Sequence, residues 1–279
     1  MISGTTRLIA HLGYPTEAFK APLIYNPYFE QTGIDAVVVP MGCRAQDFPA
    51  FLKLVFKLSN ILGALITMPH KVTTIELLDE ISVTAQVAGS CNAVKLDPDG
   101  RLVGDMFDGE GFVRGMRRKG QLLEGAAALV VGAGGVGSAI AASLAAAGVG
   151  RIAIYDNNGA SAERLRERLS RHYPALQAVA GSTDPSGFDI VVNATPLGMQ
   201  ASDPLPIDVS KLSASTYVGE VVMKEQMTPL LLAARERGCA FQVGTDMLFE
   251  QIPAYLEFFG LPTTTADHLR TVSRIGLPG

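Results

Sequence analysis

Three short stretches put polar side chains just after apolar runs, where a folded chain would bring them to strand ends. "LITMPHK" carries Lys71 after a strand candidate and the Pro69 break, "SCNAV" offers Asn92, and "DMFDGEG" offers Asp108 near two glycines. A lysine so placed, with a carboxylate to orient it, can act as an acid–base catalyst. Lys, Asn and Asp at three separate strand ends suit a cleft at the carboxyl edge of a parallel sheet. Spacing alone does not separate these three from solvated surface residues. No His/Cys/Asp cluster has metal-ligand spacing, so no metal is expected, and His70 reads as a local hydrogen-bonding residue.

The strongest single motif is "LVVGAGGVGSA", in which Gly132, Gly134 and Gly137 form G-x-G-x-x-G after a strand and at a helix start, with Gly135 inside it. The first glycine permits the tight turn, the second lets the backbone approach a pyrophosphate, and the third lets helix and strand pack closely. Asp156 ends the next strand about twenty residues on, as a dinucleotide-binding fingerprint requires. A carboxylate there accepts from both ribose hydroxyls and repels a 2′-phosphate, and no arginine follows until Arg164. NAD is therefore favoured over NADP. The plain alternatives are a structural glycine turn and a surface aspartate capping the next helix.

These residues need elements to hold them. "GYPTEAFKAPLIYN", Gly13 to Asn26, reads as a loop with a turn at Gly13 and Pro15 and a second break at Pro22. Ala36 to Pro40 and Leu62 to Thr67 read as strands, and "QDFPAFLKLVFKLSN" and "KVTTIELLDEIS" as helices, the latter with acids on its outer face. Two short strands joined by Asp-Pro-Asp-Gly follow, the second ending near Asp105. Strands at Ala128–Val131, Arg151–Tyr155, Asp189–Asn193, Thr216–Val222 and near Cys239 then alternate with helices from about Gly135, Ser161 and Thr228. The fold class expected is α/β, with two domains and a parallel sheet built by right-handed crossovers.

Bulk composition narrows the classes. A chain of 279 residues with 48% apolar content suits a two-domain globular protein, and a net charge of −4 argues against nucleic acid as partner. Cys43, Cys91 and Cys239 are odd in number and scattered, which fits a reducing cytoplasm rather than a disulfide framework. The charge-free run from Gly125 to Gly150 is long enough for a bilayer, but its glycine cluster marks strand, turn and small-residue helix, so no membrane partner is expected.

The motifs "KAP…YN", "LITMPHK", "GSCNAV", "GDMFDGEGF", "VVGAGGVGSA", "VVNATPLGM", "MTPLLLAARERG" and "GTDMLFEQ" fall in an order and spacing that resemble the shikimate/quinate dehydrogenase family across nearly the whole chain. The resemblance implies a split N-terminal α/β substrate domain (1–108 and 246–279), a Rossmann domain (109–245) and a cleft between them. It implies reversible hydride transfer between NAD(P) and the C3 hydroxyl of shikimate or quinate. Carried over motif by motif, Lys71 is the proton-transfer residue and Asp108 its hydrogen-bonding partner. Thr67, Asn92 and Gln251 resemble substrate-hydroxyl ligands. Asn193, Thr195, Met199 and Gly244 resemble the wall around the nicotinamide, although Met199 would serve equally as core packing and Gly244 as the start of a helix. The partner implied is a small ring polyol acid, with a homodimer as a possible assembly.

Departures from the family fall in both the substrate half and the cofactor half. The family's two hydroxyl ligands for the substrate carboxylate are replaced by Phe19 and Ala21, a usual asparagine by Leu65, and, in the cofactor half, the NADP-associated "NRT" by Asp156-Asn157-Asn158. Losing two hydroxyl–carboxylate hydrogen bonds costs about 1.5–3 kcal/mol each unless replaced. Either Lys20, Thr16, Tyr25 or Arg44 takes the carboxylate, or the substrate lacks one. A dehydrogenase of a related ring polyol such as aminoshikimate is the alternative within this chemistry, and a catalytically idle NAD-binding sensor the alternative outside it. Lys71 kept together with Asp108 argues against the sensor.

Overall fold

The computed structural model describes residues 2–200 and 202–275. They form two compact α/β units, one of residues 2–85, 89–107 and 252–275, the other of residues 86–88 and 108–251. The chain begins β1 (Arg7–Gly13), α1 (Pro22–Thr32), β2 (Ala36–Gly42), α2 (Phe48–Val55), β3 (Ile61–Ile66) and α3 (Lys71–Thr74). It continues through β4 (Glu80–Ile81), α4 (Val83–Ala88), β5 (Ala93–Leu96) and β6 (Leu102–Asp105).

The first sheet has the order β2-β1-β3-β5-β6-β4. β1 lies parallel to β2 and β3, whereas β5 runs antiparallel to β3 and β6, so this sheet is mixed. The antiparallel pair follows from the short Asp-Pro-Asp-Gly connection, since only antiparallel neighbours can be joined without a crossover. Ala10, Leu12, Ala64 and Ile66 pack against Phe48 and Leu52 of α2, which fixes the carboxyl ends of β1 and β3.

Two segments fold differently from their sequence pattern. Pro22 opens α1 instead of breaking a loop, because proline at the first helical position gives up an N–H that has no partner there anyway. Tyr25 and Asn26 are therefore helical. The segment read as one amphipathic helix, 71–82, is instead α3, a 3-10 turn at Ile75–Leu77 and strand β4. β4 pairs with β6, and Asp79 Oδ2 accepts from the Leu102 N–H at 2.7 Å. The sheet edge thus took residues that a helical period alone would have assigned to a helix.

The second unit follows with α5 (Asp108–Arg118), β7 (Ala127–Val131), α6 (Gly135–Ala146), β8 (Arg151–Tyr155), α7 (Gly159–His172), β9 (Gln177–Ala180) and β10 (Ile190–Asn193). Then come β11 (Tyr217–Glu220), α8 (Pro229–Glu236), β12 (Phe241–Gln242), α9 (Gly244–Phe258) and α10 (Ala266–Val272). The boundary between the units falls within α9, and α10 belongs to the first unit. The second sheet has the order β12-β11-β10-β7-β8-β9 and is parallel throughout. Strand order reverses between β7 and β10, the doubly wound arrangement of a Rossmann fold, whose ligands bind where that reversal occurs.

Alternation along the central strands covers both faces. Val130, Ile152 and Val192 pack with Phe112 and Ile140, while Leu129, Val131, Val191 and Val218 pack with Leu230 and Leu231. The charge-free run divides into β7, the glycine turn and α6, and among the described residues no helix is long and apolar enough to cross a membrane.

Candidate active site

In the first unit the predicted residues gather at the carboxyl ends of β1, β3 and the segment before β5. Thr67 follows β3; its N–H donates to Leu12 O at 2.9 Å, and its carbonyl accepts from the His70 N–H at 2.9 Å. His70 is buried, its ring lies 4.0 Å from that of Phe48 and parallel to it, and its Nε2 lies 2.8 Å from Cys43 O. That double anchor fixes the turn before Lys71, the half-buried first residue of α3. The Lys71 carbonyl accepts from the Cys91 N–H at 2.8 Å, and Ile66 N–H donates to Asn92 O at 2.8 Å, which draws Lys71, Thr67 and Asn92 together. Asn92 is buried, and its side-chain carbonyl accepts from the Phe107 N–H at 2.8 Å.

Phe19 joins this group. Its ring stacks on His11 of β1, with centroids 4.1 Å apart and planes 29° apart. A Cβ on Gly13 would stand 2.8 Å from Phe19 Cζ and would overlap the Thr67 methyl, so Phe19 and Thr67 both crowd the end of β1. Ala21, one residue ahead of α1, offers no side-chain hydrogen bond. His11 is a residue that the sequence reading missed. It is buried, its Nδ1 has no hydrogen-bond partner, and burial, helped by the nearby Lys71 charge, lowers its pKa to about 4. The available signal was one histidine inside the otherwise apolar "LIAHLG".

Asp108 and Gln251 belong to the second unit. Asp108 is the buried first residue of α5, where the helix dipole favours its negative charge. Gly111, one turn on and on the same face, abuts α9 so closely that a Cβ would lie 2.6 Å from Gln251 Cβ and 2.7 Å from Met247 O. Gly109 meets α6 in the same way, with the Ser143 hydroxyl and the Ala139 backbone in the space of a Cβ. α5 is thereby wedged between α6 and α9. Gln251 Oε1 is buried and has no hydrogen-bond partner.

The glycine turn lies at the strand-order reversal. Gly132 has φ +106°, and a Cβ there would stand 2.6 Å from Ala194 O, so this position demands glycine twice over. A Cβ on Gly137 would overlap the Gly132 carbonyl. Gly134 and Gly135 differ, since a Cβ on either meets nothing within 4 Å. The chain's own packing does not require glycine at those two positions. They leave an open cradle at the α6 N-terminus, which fits a dinucleotide pyrophosphate. Asp156 accepts from the Ala133 N–H at 2.7 Å and the Asn158 N–H at 2.8 Å, so it braces the turn as well as closing β8.

Across the reversal, Asn193 ends β10. Its Oδ1 accepts from the Thr195 hydroxyl at 2.6 Å and its Nδ2 donates to Leu197 O at 2.9 Å. Met199 is 46% exposed and so is not core packing. Gly244 opens α9 against Val222, whose carbonyl a Cβ would overlap. Among the described residues no group of three or more His, Cys, Asp or Glu side chains could hold a metal ion.

Sequence comparison places this geometry. A family model described as shikimate dehydrogenase substrate binding domain matches residues 12–94, and a ThiF family model matches residues 113–167, which include the glycine turn. The shikimate dehydrogenase (NADP(+)) of Rubrobacter xylanophilus is 35% identical over 254 residues, covering 90% of this chain and 89% of that protein. The chain belongs to the shikimate/quinate dehydrogenase family. It is an NAD(P)-dependent oxidoreductase acting on a CH–OH group. The crystal structure of shikimate 5-dehydrogenase from Listeria monocytogenes with shikimate and NAD matches it with a TM-score of 0.91, 26% identity and 97% of each chain covered. The ligand-free 5-ketofructose reductase of Gluconobacter sp. strain CHM43 matches with a TM-score of 0.88 and 25% identity, covering 97% of this chain and 98% of that one.

Proposed function

We propose that this dehydrogenase reversibly oxidises the C3 hydroxyl of shikimate or quinate to the ketone and prefers NAD to NADP. The observation that carries the substrate class is Gln251 Oε1, a buried acceptor without a donor, one helix contact away from Asp108. An unsatisfied buried acceptor costs about 1–3 kcal/mol, which a ligand hydroxyl would return. Thr67 and Asn92 serve the other ring hydroxyls, and Phe19 and Ala21 line the substrate's far end. Lys71, as the neutral amine, takes the hydroxyl proton during oxidation and returns it in reduction, with Asp108 as its hydrogen-bonding partner. A bound nicotinamide would supply the hydride acceptor, with Asn193, Thr195, Met199 and Gly244 as the residues that would hold its ring.

Gly132, Gly134, Gly135, Gly137 and Asp156 hold the dinucleotide, and Asn193, Thr195, Met199 and Gly244 wall its nicotinamide end. The NAD preference rests on Asp156, whose charge next to the turn repels a 2′-phosphate. In this reading residues 1–108 and 246–279 act as the substrate domain and 109–245 as the cofactor domain, with Asp108 and residues 246–251 serving the substrate while packing in the second compact unit.

A second reading is favoured by the Phe19–His11 stack. The Phe19 and His11 rings and Ala21 give a carboxylate no cation and no hydroxyl, which suits a polyol without a carboxylate. A structural neighbour is named for 5-ketofructose, a sugar without a carboxylate. Steady-state kcat/KM for shikimate, quinate and aminoshikimate with NAD and NADP, and for 5-ketofructose with NADH and NADPH, separates the two readings. Turnover of the ring acids with NAD at least about tenfold better than with NADP supports the first. Turnover confined to substrates without a carboxylate replaces it with the second.

A further inference from the structure

One buried carboxylate ties together segments that lie apart in sequence. Glu220 ends β11 with no exposed surface. Its Oε1 accepts from Asn193 Nδ2 at 2.9 Å and from the N–H groups of Val221 at 2.8 Å and Val222 at 3.1 Å. Its Oε2 accepts from Asn193 Nδ2 at 3.2 Å and from the Thr228 hydroxyl at 2.8 Å. None of these donors is a cation, and all of them need an acceptor. An ionised carboxylate, which only accepts, matches the set, whereas an amide of the same shape would turn an NH2 against donors.

Each donor leads to a different piece of the cofactor site. Asn193 holds Thr195 through its Oδ1 and Leu197 through its Nδ2, while Thr195 Oγ1 accepts from the Leu197 N–H at 3.1 Å. Val221 and Val222 form the turn against which Gly244 is packed, with a Gly244 Cβ only 2.6 Å from Val222 C and 2.9 Å from Val221 C. Thr228 caps α8, accepting from the Leu231 N–H. The adenosine end depends on other groups, since Asp156 and the glycine turn bond to each other on β7 and β8.

We propose that Glu220 is a positioning residue for the nicotinamide end of the cofactor, setting the 193–199 loop and the 221–222 turn against Gly244. The proposal rests on the reading of Asn193, Thr195, Met199 and Gly244 as the nicotinamide wall. Burial pushes the Glu220 carboxyl above the usual carboxylate range, so its charge depends on the donors around it. Removing that charge releases the Asn193 amide and the turn together. A bound dinucleotide should feel this at its nicotinamide and not at its adenosine.

Calorimetric titration with NAD and with ADP-ribose, which lacks the nicotinamide, reads the difference. Glu220→Gln should weaken NAD by roughly tenfold or more and leave ADP-ribose within about twofold of wild type. Glu220→Asp, which keeps the charge, should recover part of the loss and serves alone if the glutamine variant does not fold. Equal weakening of both ligands, or of neither, overturns the proposal. Thr195→Ala with Met199→Ala tests the wall reading separately. If that pair shifts the ratio of NAD to ADP-ribose affinity and neither Glu220 variant does, only the role of Glu220 falls. If the pair leaves the ratio at its wild-type value, the wall reading falls and the proposal with it.

Discussion

At the scale of single residues, His11 shows how burial turns an imidazole into a pH-dependent element of stability. Its folded-state pKa is about 4 against an ordinary value of 6.5, lowered first by burial and then by the charge of Lys71. The unfolded chain therefore binds the proton more tightly than the folded one. The stability that neutral His11 contributes is fully present above pH 6.5 and is lost progressively as pH falls toward 4. His70, also lowered by burial, acts in the same direction. Replacing His11 with leucine should flatten, without abolishing, the fall in unfolding temperature between pH 6.5 and 4. Thermal melts of both proteins at half-unit steps check this, and identical slopes would remove the assignment. Neither His11 nor Glu220 was legible in the sequence. Each matters through neighbours supplied by other strands or loops, and a lone polar residue in an apolar run carries no record of them.

At the scale of elements, the sequence was most legible where local chemistry and tertiary demand agree. The β-branched runs at β2, β8 and β10 and the glycine turn into α6 lie within a residue or two of their predicted positions. Agreement failed at 71–82, where an edge-strand pairing with β6 competes with a helical period, and at Pro22, which a helix start uses as readily as a loop. α5 shows the same logic in packing. Its glycines, silent in the sequence reading, allow backbone-to-backbone contact with α6 and α9. Gly109→Ala puts a methyl into the Ala139 backbone, where no flexible side chain can yield. Overpacking of this kind costs about 1–3 kcal/mol. A drop of that size in unfolding free energy by urea titration is expected, with a loss of activity through the displaced Asp108. A variant as stable as wild type would show that α5 and α6 are not so closely apposed.

At the scale of the molecule, the residues proposed for the chemistry come from two compact units, each with its own sheet and core: Lys71, Thr67 and Asn92 from the first, Asp108, Gln251 and the dinucleotide residues from the second. The residues proposed to hold the dinucleotide lie in the second unit, braced by Asp156 and by the Glu220 network, and none of those bonds involves Lys71. Lys71 stands in the first unit, on a turn anchored by His70 and joined to Asn92 through the sheet edge. Cofactor binding and proton transfer should therefore come apart under substitution. Lys71→Ala should lower kcat by about 10²–10⁴-fold, the range over which a positioned acid–base group acts. Its Kd for NADH should stay within about twofold of wild type. Rapid-quench turnover and fluorescence titration of NADH on the same preparation measure the two effects together. Wild-type turnover would dismiss Lys71 as the proton-transfer residue. A parallel loss of NADH affinity would mean that the lysine supports the cofactor site, and the separation of its role from cofactor binding would fail.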